Sequence, residues 1–195
     1  MKRLTGSRFW NSANTITVAR IAVVPVVMVL LAHESFVTCW IAAFLYVAAS
    51  ISDIVDGYLA RKFNLVSIIG AFLDPLADKL LVIGALTMLV PLGRMPAWMV
   101  AVLIMRDVTI TALRGIAASE GLIISASKWG KYKTTFLDVS LCFLIAHYEV
   151  NAVDLHTVGM MLMWPALVLS VWSGAHYLYQ FFVEASRHEG SQKTA

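Results

Sequence analysis

Hydrophobic residues run along this chain in six long blocks separated by short polar joints, at about residues 16–32, 37–60, 67–91, 96–118, 131–148 and 155–183. Each block is near the roughly 20 apolar residues that a helix needs to cross a hydrocarbon core about 30 Å thick. The pattern predicts an all-α integral membrane protein with six transmembrane helices. The six blocks use nearly the whole chain, so residues 1–195 are expected to form one membrane domain. Only a juxtamembrane segment (1–15) and a flexible C-terminal tail (184–195) lie outside the blocks, and no soluble domain is left over.

Composition agrees: 59% of residues are hydrophobic and 14% charged, against about 45–50% and 25% in an average soluble domain. The basic start, KRLTGSRFW, precedes an apolar run, but Arg20 interrupts that run and no A-x-A-like site follows Leu31. A cleaved signal peptide is therefore not expected. Cys39 and Cys142 fall inside apolar blocks, without disulfide or metal spacing, and read as small buried hydrophobes.

Charge sets the orientation. Alternate connections hold Lys2, Arg3 and Arg8, then Arg61 and Lys62, then Lys128, Lys131 and Lys133, then Arg187 and Lys193. The opposite connections offer Arg94 as their cation, beside Glu34, Glu149 and Asp154. Both termini are thus expected on the cytoplasmic side. Trp10, Trp40, Trp98 and Trp129 fall near block ends, as interfacial anchors do. The net charge of +3 follows from this bias and suits anionic lipid; it is no argument for nucleic acid.

The candidate chemistry lies in DIVDGYLARKFNLVSIIGAFLDPLAD, residues 53–78, which places Asp53, Asp56, Asp74 and Asp78 in apolar surroundings. Asp53 lies about 12 Å, and Asp74 about 10 Å, from the same predicted cytoplasmic surface, at 1.5 Å per residue. Asp53, Asp56, Gly57 and Ala60 share one face of the second helix, and Gly70, Asp74 and Asp78 one face of the third. Gly57, Ala60 and Gly70 leave room for a close backbone or a flat ligand. Pro75 lacks an N–H and weakens the helix beside Asp74, either for a ligand or as a tolerated kink. Intramembrane carboxylates are costly, so they either take up protons or hold cations. All-oxygen donors favour a hard ion such as Mg²⁺, Mn²⁺ or Ca²⁺. Three or four carboxylates suit two divalent ions, the arrangement that clamps a phosphate during displacement. The spacing alone leaves open an ion or proton pathway of a transporter and a buried polar network.

The arrangement Asp53-x2-Asp56-Gly57-x2-Ala60-Arg61-x8-Gly70-x3-Asp74-x3-Asp78 resembles the signature of the CDP-alcohol phosphatidyltransferases, with all eight positions filled. Asn14, Thr17 and Arg20, the run DPLADKLL at 74–81, Arg106-Asp107 followed by Ala112-Leu113-Arg114, and Gly130-Lys131-Tyr132-Lys133-Thr134 resemble the branch that makes phosphatidylglycerol phosphate. Similarity runs from about residue 11 to 140, and the last block carries no recognisable motif. One departure is Arg106-Asp107, where that branch is expected to carry Arg-Glu.

The resemblance implies a six-helix membrane enzyme, usually homodimeric, in the cell's inner membrane with a polar cavity facing the cytoplasm. It implies transfer of a phosphatidyl group from CDP-diacylglycerol to glycerol 3-phosphate, with release of CMP and two divalent cations, Mg²⁺ or Mn²⁺. On that reading Asp53, Asp56 and Asp74 are metal ligands, and Asp78 is a ligand, the base for the acceptor hydroxyl, or both. Gly57, Ala60, Arg61 and Gly70 are the CDP pocket. Asn14 and Thr17 either orient a nucleotide phosphate or cap the first helix, and Arg20 faces the site or snorkels.

A phosphate-bearing acceptor needs cations. Arg106, Arg114, Lys131 and Lys133, with Arg20, are the candidates; Arg106 has Asp107 or Asp138 as alternative partners, and the lysines also serve topology. A different acceptor, a second phosphatidylglycerol or an inositol phosphate, would use the same chemistry. A cation or proton transporter is the rival from another class, but such proteins usually show paired repeats, and none is visible. His33, His147 and His156 are expected at the far interface, His176 as a lone satisfied histidine, and the Phe/Tyr run at 177–182 as an interfacial belt.

Overall fold

A computed structural model describes residues 12–62, 68–120 and 128–193, with side chains over 17–52, 73–120 and 130–186. Six helices follow the six apolar blocks: α1 (Ser12–Ala32), α2 (Phe36–Lys62), α3 (Ile68–Leu89), α4 (Ala97–Ser119), α5 (Lys128–Ala146) and α6 (Leu155–Lys193). A two-stranded antiparallel ribbon, β1 (Glu149–Val150) with β2 (Val153–Asp154), joins α5 to α6. α6 continues beyond the predicted block end at 183, as far as Lys193.

Local chemistry sets the element ends. Before α2, Ser35 Oγ accepts from the Thr38 N–H at 3.2 Å while Thr38 Oγ1 accepts from the Ser35 N–H at 3.1 Å, a reciprocal cap. After α3, Gly93 adopts φ +67°. The Arg94 N–H then reaches the Leu89 carbonyl and the Gly93 N–H the Val90 carbonyl, both at 3.0 Å. That closes a Schellman turn, which needs a left-handed residue at this point. The ribbon turns through Asn151 (φ 51°) and Ala152 (φ 64°), the two positive values of a type I′ hairpin. Its absence from the sequence reading has a plain cause: Ala is a poor left-handed residue, so no Asn-Gly or Asp-Gly signal marks the turn. Asp154 caps α6, accepting from the backbone N–H of His156 (3.0 Å) and Thr157 (3.2 Å) and from the Thr157 hydroxyl.

The chain divides into two compact units. The first comprises Met1–Arg94 and Leu141–Gly159, the second Met95–Ser140 and Met160–Ala195. In the first unit α1 packs against both α2 and α3, and α2 and α3 also meet. A Cβ on Gly84 would lie 2.9 Å from Val24 Cγ1, so α1 and α3 approach closely only because that atom is missing. Leu31, Tyr46, Leu81, Leu86 and Leu89 fill this core. At one end Arg94, 4% exposed, donates from Nη1 to the carbonyls of Leu144 (3.4 Å) and Ile145 (2.9 Å) and from Nη2 to Cys39 Sγ (3.3 Å). Expected as a loop cation, Arg94 is a buried cap on the last carbonyls of α5, where positive charge complements the helix dipole. His156 Nε2–H donates to the Arg94 carbonyl at 3.1 Å and holds the same corner.

In the second unit Met99, Leu103, Ile110, Leu137 and Met163 are buried, while Met161, Trp164, Val168, Trp172 and Tyr179 face outward. Large apolar side chains on both the inner and outer faces of one helix are a membrane pattern. Among the described residues α6, over Leu155–Ser186, is long and apolar enough to cross a bilayer; Thr17–Ala32 and Phe36–Ser52 are shorter apolar runs. The structure is thus a six-helix, predominantly helical chain among the described residues, consistent with an all-α membrane protein.

Candidate active site

In the first unit the acidic signature rides on α2 and α3. Asp53, Asp56, Gly57, Ala60 and Arg61 lie on the helical backbone of α2, and Gly70 on that of α3. Their side chains, like that of Asn14, fall outside the described ones. Asp74 and Asp78 are described, both half-buried and one turn apart on α3. The helix runs unbroken through Pro75, although a proline there removes one backbone hydrogen bond.

Thr17 Oγ1, on α1, donates to Asp74 Oδ1 at 2.6 Å, across 57 residues of sequence. Thr17 is 1% exposed and Arg20, one turn further along α1, is 3% exposed. This contact is neither of the roles expected of Thr17, orienting a nucleotide phosphate or capping the first helix: the hydroxyl is bonded to one oxygen of a carboxylate in the acidic signature. A buried hydrogen bond to a carboxylate is a strong one. Arg20 sits inside the fold and does not snorkel.

The second unit gathers the basic residues. Arg106, on α4, uses all three of its nitrogens: Nε donates to the Ser170 carbonyl (3.0 Å), Nη2 to Ser173 Oγ (2.8 Å) and Nη1 to Asp107 Oδ1 (2.8 Å). Lys133 Nζ, on α5, donates to both oxygens of Asp107, at 2.7 and 2.9 Å. Asp107 therefore bridges two cations, and its shorter side chain still reaches both. Lys133 is 4% exposed; without that carboxylate its charge would be buried at a cost of several kcal/mol. Asp107, rather than Asp138, is the acid that engages Arg106.

Arg114 and Lys131 differ from this pair in being exposed. The Arg114 guanidinium carbon lies 5.5 Å from the centroid of the Tyr177 ring, a cation–π contact. Tyr177 is 5% exposed and so leaves the expected interfacial belt, in which Tyr179 and Phe182 remain outward. Ser170, Ser173, Gly174 and Tyr177 carry no chemical motif, so spacing gave no sign of their part in holding the α4 arginines. The one available signal was small and polar residues recurring at three, four and seven residues along an otherwise apolar helix.

α2 and α3 thus carry the acidic signature along their sequence, and α4, α5 and α6 of the second unit carry the Arg106–Asp107–Lys133 group. The sequence pattern of the CDP-alcohol phosphatidyltransferase family matches residues 10–172. The chain belongs to that family. It is 39% identical over 180 residues to the CDP-diacylglycerol–glycerol-3-phosphate 3-phosphatidyltransferase of Bacillus subtilis, covering 86% of this chain and 93% of the relative. The protein of that name from Rickettsia bellii is 34% identical over 168 residues, with the same coverage of 86% and 93%. A chloroplastic/mitochondrial protein of that activity from Arabidopsis thaliana is 35% identical over 187 residues, covering 88% of this chain and 63% of the relative.

Proposed function

We propose that this chain transfers the phosphatidyl group of CDP-diacylglycerol to glycerol 3-phosphate, yielding phosphatidylglycerol phosphate and CMP. The observation that carries the reading is the complete acidic signature on α2 and α3, inside the stretch that the family pattern matches. The names of the relatives supply the acceptor.

The donor set fits a pair of hard divalent cations, Mg²⁺ or Mn²⁺: it is made of carboxylate oxygens, and among the described residues Thr17 engages one oxygen of Asp74. Asp53, Asp56, Asp74 and Asp78 would hold the ions. When bound, such ions neutralise diphosphate charge and align the displacement. The rest falls to the protein. Thr17 orients Asp74. Arg61 offers a planar fork to a phosphate, with Gly57, Ala60, Gly70 and Asn14 beside the nucleotide. Asp78 takes the proton from the acceptor hydroxyl as its oxygen attacks the phosphatidyl phosphorus. The bond from that phosphorus to the bridging oxygen breaks, and CMP leaves with the electron pair.

The cations expected to serve the acceptor phosphate, Arg20, Arg106, Arg114, Lys131 and Lys133, have unequal parts. Arg106 and Lys133 are engaged by Asp107 and act as framework; Arg114 and Lys131 are exposed and suit phosphate contact. We read the chain as one catalytic domain and a homodimeric, six-crossing enzyme of the cytoplasmic membrane. The lysine and arginine bias puts both termini, and the acidic signature, on the cytoplasmic side.

The test is CMP release by purified protein given CDP-diacylglycerol. Release must require both glycerol 3-phosphate and a divalent cation, and stop on chelation. Equal release with serine, inositol phosphate or phosphatidylglycerol removes the acceptor assignment. Ion flux in proteoliposomes without CMP removes the chemistry.

A further inference from the structure

The last helix contributes no residue to the acidic signature, and the family pattern stops at residue 172. Yet one stripe of α6 carries the α4 arginines. Ser170, Ser173, Gly174 and Tyr177 recur at three, four and seven residues, so they share a helix face. Ser170 is 0%, Ser173 2% and Tyr177 5% exposed. Arg106 lies across Gly174: a Cβ there would stand 3.0 Å from Arg106 Cγ and 3.2 Å from its Nε. The guanidinium then reaches the Ser170 carbonyl and the Ser173 hydroxyl. One turn further on, the Tyr177 ring lies under Arg114.

The two arginines are held differently. Arg106 is held by its in-plane donors, which are spent on α6 and Asp107. Arg114 rests against the Tyr177 ring, its guanidinium carbon 5.5 Å from the centroid, and a guanidinium carries five N–H donors suited to an oxyanion. A ring contact supplies no acceptor oxygen to compete with an anion for those donors, and it limits the rotations of a side chain that otherwise carries large rotamer entropy.

We infer that the α6 stripe Ser173–Gly174–Tyr177 is a positioning element that fixes Arg106 and, through the Tyr177 ring, steadies Arg114 for the phosphate of the acceptor. This rests on the proposed activity. It adds that acceptor affinity is set in part by an apolar ring on the last helix. Tyr177 is a positioning residue, since it acts through Arg114.

The experiment compares full-length wild type with Tyr177→Phe, Tyr177→Leu, Tyr177→Met and Gly174→Ala in one detergent, measuring KM separately for each substrate together with Tm. Loss of the ring is expected to raise the KM for glycerol 3-phosphate about fivefold, the scale of one cation–π contact. The KM for CDP-diacylglycerol stays at the wild-type value, and Tyr177→Phe, which keeps the ring, restores the acceptor KM. Gly174→Ala raises the acceptor KM by displacing Arg106. Should Tyr177→Leu fail to fold, Tyr177→Met, unbranched and without a ring face, carries the comparison. The inference is overturned if the Phe variant matches the Leu or Met variant, or if both KM values move together. In either case a wild type that still releases CMP with glycerol 3-phosphate keeps its activity and loses only this element. A wild type inactive with glycerol 3-phosphate removes both.

Discussion

The acidic stretch of α2 and α3 and the basic group of α4, α5 and α6 are built in opposite ways. The first is local: all four of its aspartates lie between residues 53 and 78. The second is assembled from afar, with contacts that span 26 residues from Asp107 to Lys133 and 67 from Arg106 to Ser173. Their electrostatics differ as well. Asp107 gives two cations of the basic group an internal counter-charge, whereas the acidic stretch brings four carboxylates of one sign, which on the proposed reading work with bound cations. A group that neutralises itself is suited to be framework.

That contrast predicts where activity and stability separate. The largest effect is expected at the acidic stretch: Asp74→Asn or Asp78→Asn lowers CMP release by about 10³-fold or more with Tm nearly unchanged. Activity retained in both would break the comparison. At Asp107 the outcome reverses. Asp107→Asn leaves Lys133 buried beside a neutral group and costs about 3 kcal/mol of stability, read as a fall in Tm or in denaturant midpoint. Adding Lys133→Met to that variant recovers part of the loss, because the more deeply buried of the two cations is then gone while Arg106 keeps its bonds to Ser170 and Ser173.

A third variant sharpens the acidic side. Thr17→Val removes the hydroxyl that holds Asp74 and raises the divalent-cation concentration for half-maximal activity about tenfold, as loss of an outer-shell partner does. Thr17→Ser restores it, and a titration indistinguishable from wild type would return Thr17 to a helix-packing role. The smallest effect lies outside both groups. The Thr157 hydroxyl, with the backbone N–H groups of His156 and Thr157, holds the Asp154 carboxyl below the usual carboxylate range, against the opposing effect of burial. A lowered folded-state pKa means that this cap contributes above the unfolded-state pKa and is lost as pH falls through the folded one. Acid unfolding should therefore show a component near or below the carboxylate range that Asp154→Asn removes, with acceptor use unchanged.

Much of this was legible from residues alone. The six helices fall where the apolar blocks lie, because a run of apolar residues specifies a helix without help from partners. The acidic signature was legible because helical periodicity places residues three and four apart on one face. The ribbon at 149–154 was not, since its turn uses Ala152 in place of glycine. Tyr177 read as interfacial because composition cannot tell which side of a helix meets protein. Arg94 read as a loop charge, though its guanidinium caps α5 from 50 residues away.

By itself the sequence determined the helices, the order of the chain, the family and the spacing of the four carboxylates, since all of these rest on short-range spacing or on residue type. Only the tertiary structure decided that Thr17 serves Asp74, that Asp107 joins Arg106 to Lys133, and that α6 carries both α4 arginines. Such contacts depend on the rotation of one helix against another, which is set by packing at sites like Gly84 and Gly174, where a missing Cβ lets a neighbour in.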